Sequence, residues 1–138
     1  MADAVTSQTL SDGDRIAVVK FTNISDGSGE ASVKKVDVSA LANNSAGAAC
    51  ALATIEQVWY DIGGMRVALE WNATTNVVAA VLGGSAAAGP GSGYMDFRSF
   101  GGVKNTLASG YDGDIDLTTH GHTAHDHYTI VLQLRKSY

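Results

Sequence analysis

The run TIEQVWYDIGGMRVALEWNATTNVVAAVL, residues 54–82, decides the fold class. It alternates apolar with polar residues and is rich in β-branched and aromatic side chains. Gly63-Gly64 and Asn72-Ala73-Thr74-Thr75-Asn76 interrupt it. That is the pattern of three consecutive antiparallel strands. A two-residue glycine loop suits the primed turns that match strand twist, so it predicts a hairpin with Ile62 facing Met65, Asp61 facing Arg66 and Val58 facing Leu69. Because side chains alternate between faces, Val58, Tyr60, Ile62, Met65, Val67, Leu69 and Trp71 share one apolar face. Gln57, Trp59, Asp61, Arg66, Ala68 and Glu70 share the other. Asp61 opposite Arg66 is expected as a cross-strand ion pair contributing about 0.2–1 kcal/mol. A slip of one residue would put Arg66 and Glu70 in the core, which specifies the register. Trp59 is out of place on a polar face. Either another part of the chain covers it, or it anchors a contact with a neighbouring molecule, as aromatics do at interface hot spots.

Outward from this run, the 138-residue chain has the length of one domain. It is 45% hydrophobic, with 16 glycines and one proline, a mixture that favours many short strands and turns. The net charge of −5 argues against a nucleic-acid partner, because phosphate contacts need clustered Lys and Arg. Lys34-Lys35 and Arg135-Lys136 are the basic pairs, and both read as solvated strand positions. The single cysteine, Cys50, excludes an internal disulfide and reads as a buried, inert thiol. The N-terminus lacks the basic and apolar regions of a secretory signal, and no apolar run approaches the ~20 residues of a membrane span. A soluble protein made in a cytoplasm, with no membrane partner, is therefore expected.

Residues 1–14 are polar and read as an N-terminal arm or loosely held lead-in, leaving 15–138 as a single β-sandwich domain. Arg15–Asn23 is a strand with apolar residues on both faces. Glu30–Val38 is another, whose alternation slips between Val33 and Val36 as at a β-bulge. Ser39–Cys50 is a loop with at most one or two helical turns. The low-complexity run Gly83–Gly93 lacks the Lys-Ser/Thr and helix of a phosphate loop, and reads as a second arm. Tyr94–Arg98, Asp114–Thr119 and Tyr128–Arg135 are further strands, the last placing Tyr128, Ile130, Leu132 and Leu134 inward. About eight strands with frequent turns and no βαβ alternation predict an all-β fold, an antiparallel β-sandwich or jelly roll.

All four histidines lie in HGHTAHDH, residues 120–127, between the last two strands. His120, His122, His125 and His127 admit several readings. They form a polar turn that happens to be histidine-rich, an inter-subunit site for a transition metal, a hydrolytic metal centre, or a pH-dependent switch. No cofactor is required by the chain; a metal at this loop is the one its residues would suit. No nucleophile elbow or catalytic residue is evident. Asp112, Asp114 and Asp116 alternate along a strand and read as a solvated acidic face.

Four runs together resemble a known family. They are RIAVVKFTNISDGSGEASVKKVDVSAL from Arg15, IEQVWYDIGGMRVALEWNATTN from Ile55, GSGYMDFRSFGGVKNTLASGYDGDIDLTT from Gly91 and HTAHDHYTIVLQLRK from His122. Over most of the chain they resemble small virion structural proteins of tailed bacteriophages, especially cyanophages. The resemblance implies a non-enzymatic head protein, a capsid decoration or cement protein on the capsid exterior. The major capsid protein would be its partner, and it would self-associate as a homotrimer or homodimer. The four histidines depart from that family's Gly- and Ser/Thr-rich final turn. The competing expectation is a tail, neck or receptor-binding virion component with a glycan- or partner-binding loop end. The interface candidates are Trp59, Asp61, Arg66, Tyr94 and Tyr111.

Overall fold

A computed structural model describes residues 3–83 and 91–138. Residues 84–90 of the expected Gly83–Gly93 arm, and Met1 and Ala2 of the N-terminal one, lie outside the described residues. Among the described residues nine strands follow in order: β1 Ala4–Asp12, β2 Ile16–Asp26, β3 Val33–Val36, β4 Leu52–Gly63, β5 Arg66–Ala73, β6 Val77–Leu82, β7 Gly91–Asp96, β8 Tyr111–His120 and β9 Ala124–Ser137. Single 3₁₀ turns occur at Val38–Ala40 and Arg98–Phe100, and the described residues contain no α-helix. The fold is all-β, in two antiparallel sheets. One runs β1-β2-β9-β4-β7 and the other β3-β8-β5-β6.

The pairing is nested. β2 lies against β9, β3 against β8, β4 against β7 and β5 against β6. The ladders β4–β9 and β5–β8 join these pairs into sheets. Strand β1 stands outside the nest and, among the described residues, pairs only with β2.

The two sheets share one core. Ala17, Val19 and Phe21 of β2, Ile55, Val58 and Ile62 of β4 and Tyr128, Ile130, Leu132 and Leu134 of β9 come from the larger sheet. Val67, Leu69 and Trp71 of β5 and Ile115 and Leu117 of β8 come from the smaller. The inward positions read from alternation in residues 54–82 are therefore buried, with Tyr60 only partly covered, but Gln57 (6% exposed) and Ala68 (3%), read onto the opposite face, are buried too.

The predicted hairpin at Gly63-Gly64 does not form. β4 belongs to the five-stranded sheet and β5 to the four-stranded one, so Gly63-Gly64 is a crossing between sheets. Either primed turn needs a positive φ at its first central residue. Gly64 has one (84°) and Gly63 does not. Gly63 instead continues the ladder opposite His127, and a Cβ on Gly64 would run into the Asp126 carboxylate. Asp61 consequently faces Thr129 and Ser92, while Arg66 faces His120, and no Asp61–Arg66 ion pair exists.

Residues 4–12, expected as a loose arm, are a paired edge strand. Polar clamps hold both of its ends. At the start, the Asp3 carboxylate accepts hydrogen bonds from Asn23 Nδ2 (3.0 Å), Asp26 N (3.0 Å) and Ser28 Oγ (3.1 Å). At the far end, Asp12 accepts from Lys136 Nζ (2.7 Å) and from Ala42 N (2.7 Å).

Candidate functional site

The outer face of the larger sheet carries three of the five interface candidates. Register places Lys20, Val131, Trp59 and Tyr94 side by side across β2, β9, β4 and β7. The neighbouring row is Thr22, Thr129, Asp61 and Ser92. Trp59 is 39% exposed and Tyr94 49%. Their rings stack at a centroid separation of 5.2 Å and an interplanar angle of 26°. Gln57 Nε2 hydrogen-bonds the Tyr94 hydroxyl and fixes that ring. A hollow of about 200 Å³ beside the stack is lined by Trp59, Tyr60, Asp61, Gly93, Thr129 and Val131. The odd residue of the polar face therefore has a cross-strand partner and still presents apolar surface to solvent.

Beyond the stack, β7 ends in a rigid charged corner. Arg98 grips Asp96 through Nε (2.9 Å) and Nη2 (2.7 Å). Arg98 holds the Asp96 carboxyl well below the usual range, and Asp96 raises the guanidinium in return.

Arg66 and Tyr111 are not part of this surface. They lie in the smaller sheet at opposite ends of the β5–β8 ladder, where Arg66 faces His120 and Ala73 faces Tyr111. The five candidates thus divide between two sheets rather than forming one patch.

The histidines also divide. His120 closes β8 and is exposed, beside Arg66. Gly121, with φ at 68°, then turns the chain. His122 folds back so that its ring lies against Gly29 and its Nδ1 meets Thr119 Oγ1 at 3.2 Å. His127 is in β9 of the other sheet, with its ring over Gly63. His120 and His122 therefore do not point the same way. Among the described residues no group of three or more His, Cys, Asp or Glu side chains is placed to hold a metal ion.

Several charged groups expected in solvent are buried. Asp114 (4% exposed) and Asp116 (2%) form a buried scaffold rather than an acidic face. Asp114 receives Val38 N at 2.9 Å and pairs with Lys34 at 2.6 Å. Asp116 accepts from Asn72 Nδ2 (2.7 Å) and Asn76 Nδ2 (2.9 Å). The side chains of Lys35 and Lys136 are also buried. Lys35 pairs at 2.5 Å with Glu30, whose carboxylate also accepts from Asn23 Nδ2 (2.7 Å) and the Tyr128 hydroxyl (2.5 Å). Burial, then the bond to Glu30, pushes the Tyr128 phenol well above its ordinary range. Glu30 gave no sign of this role in sequence. Its partners lie up to 98 residues away. Cys50 is buried, its thiol donating to Leu52 O at 3.2 Å, and burial pushes its pKa up.

Among the described residues no helix is long and apolar enough to cross a membrane. No protein-family model matches the chain, and no curated protein or solved structure matches it.

Proposed function

We propose that the two sheets form a β-sandwich of the jelly-roll kind and that the protein is a non-enzymatic tailed-bacteriophage virion component. Its role would be capsid decoration, on the outer face of the head. The fold reading is supported by the nested pairing, in which β2 to β9 runs as one long antiparallel ribbon bent upon itself. Jelly rolls are wound in this way and recur in viral capsid and lectin domains. A fold hosts many functions, so the functional reading leans on the surface and on the resemblance of the sequence.

The observation that carries it is the outer face of the larger sheet. Trp59 and Tyr94 stack there in the open, flanked by Val131 and by the hydroxyls of Thr22, Thr129 and Ser92. A rigid, partly aromatic face with a polar surround is how interface hot spots are built. Repetition of one modest contact over many equivalent capsid sites supplies avidity. The acidic net charge keeps such a protein off packaged DNA. A second reading, a tail, neck or receptor-binding part, draws on the hollow beside Trp59, where Asp61 and Thr129 could bond sugar hydroxyls.

Electron microscopy of intact particles decides between them. Decoration predicts many copies on the head and lower heat resistance in particles lacking the protein. A tail or neck position with few copies would refute it.

A further inference from the structure

We infer that the free edge of β1 is a self-association edge, which joins the larger sheets of two copies across a twofold axis. The motivation is an energetic oddity. Ala4–Ser11 is exposed throughout, and only Asp12 is half-buried, so the strand contributes almost nothing to the core. It stands outside the nested pairing and, among the described residues, has one neighbour, β2. Yet it is held in place, with clamps at Asp3 and Asp12 and a Thr6–Thr22 hydroxyl bond between them. Its register with β2 is unbroken from Ala4 to Thr9, and the shift falls only after Thr9.

Exposed strand edges are normally blunted by short length, Lys, Pro or a bulge. Two of the other three edges fit that rule, the third being the six-residue β7. β3 has four residues, two of them lysines, and β6 carries a register break in mid-strand. Over Ala4–Thr9, AVTSQT, β1 has none of these devices and no charge; the one register break falls at Leu10, beyond that stretch.

The occupant best suited to this edge is a second copy. An antiparallel pair centred on Ser7 sets Ser7 against Ser7, Thr6 against Gln8 and Val5 against Thr9 of the other copy. No like charges meet, and β-branched and hydroxyl side chains lie opposite one another, which favours cross-strand pairing. Because a twofold contact uses the same patch twice, it satisfies both edges at once. The side of β1 that faces the interior in register, with Ser7 opposite Phe21, borders a hollow of about 100 Å³ lined also by Thr9, Val19 and Lys35. The inference does not depend on a virion location.

The test uses the whole chain. Sedimentation should give a dimer, with the amides of residues 5–9 slow to exchange in it. Ser7→Lys places two ammonium groups face to face and should weaken the dimer by up to about fivefold. Ser7 is exposed, so the circular dichroism spectrum should not change. Ser7→Cys provides a second readout. Opposed residues in an antiparallel pair have Cα atoms about 4.5–5.5 Å apart, within disulfide range, so oxidation should cross-link two copies while buried Cys50 stays free. A monomer at the highest attainable concentration would overturn the inference. So would a dimer that Ser7→Lys leaves intact or Ser7→Cys fails to cross-link.

Discussion

Lys136→Met should destabilise this protein more than any solvated lysine could. The side chain is fully buried, and its Nζ donates to Asp12 Oδ1 (2.7 Å), Gly13 O (2.8 Å) and Ala42 O (2.7 Å). Methionine keeps the stem and its packing but supplies no donor. Asp12 would retain only Ala42 N, and two loop carbonyls would lose their partner. Removing one member of a buried pair costs about 3–5 kcal/mol. The Asp12 side chain is 21% exposed and can recover some hydration, so the low end, about 3 kcal/mol, is expected. For a domain of this size that is a fall in Tm of about 10–15 °C. Urea unfolding followed by tryptophan fluorescence measures it. Asp12→Asn combined with Lys136→Met should show a coupling of about 1–3 kcal/mol. A loss below about 1 kcal/mol for Lys136→Met would refute the reasoning, because it would place the ammonium in water. The pH dependence has a definite sign. Burial opposes the charge, but the bond to Asp12 and the adjacent Tyr138 side chain outweigh it, so the folded pKa lies above the usual 10.5. The stabilisation is therefore complete below that value and is lost only as pH rises above it.

Tyr128→Phe should cost about 2 kcal/mol in the same urea assay, because a buried carboxylate, Glu30, loses one charge-assisted bond. Asp3 contributes to the acid limb of the stability profile. Burial raises its pKa, but the bonds from Asn23, Asp26 and Ser28 outweigh that and hold it below the usual 3.8. Its contribution is present above that value and lost as pH falls below it, so Asp3→Asn should flatten the stability profile in acid. Trp59→Ala should cost about 0.5–1.5 kcal/mol of stability for the lost stack, in addition to the apolar area that Trp59 buries. In binding to capsids it should cost at least about 2 kcal/mol, roughly thirtyfold, if the outer face is the interface.

What alternation could and could not reveal is clear in residues 54–82. A period of two fixes which side chains face inward, and Val58, Ile62, Val67, Leu69 and Trp71 are all buried. It does not say what lies opposite. Two strands that pair within a sheet and two strands in facing sheets give the same inward pattern, because both bury one face in the same core. Only backbone geometry at Gly63 separates a hairpin from a crossing, and a residue name does not carry that geometry. The same limit misplaced Asp114, Asp116, Lys35 and Lys136. Charge in a strand suggests solvent unless distant partners are known, and Lys136 finds its carboxylate 124 residues away. Trp59 was legible as an anomaly, since a solvated face does not require it. Its partner Tyr94 was named among the same candidates, but their stacking depended on β7 returning to the edge of β4.

Strand β1 escaped notice for a different reason. Sequence periodicity detects strands through the face they bury, and β1 buries almost none. Two polar clamps hold it instead, one through Asn23 to the Glu30 cluster and the other through Lys136. Stability and assembly therefore have separable handles on the same strand. Lys136→Met releases the Asp12 clamp and should lower both the unfolding free energy and self-association. Ser7→Lys leaves both clamps in place and should lower self-association alone. If the two variants weaken the dimer equally while only the first loses stability, the clamps act by holding the edge straight. If Lys136→Met loses stability but dimerises normally, the edge does not need them, and the ladder with β2 is sufficient to present it.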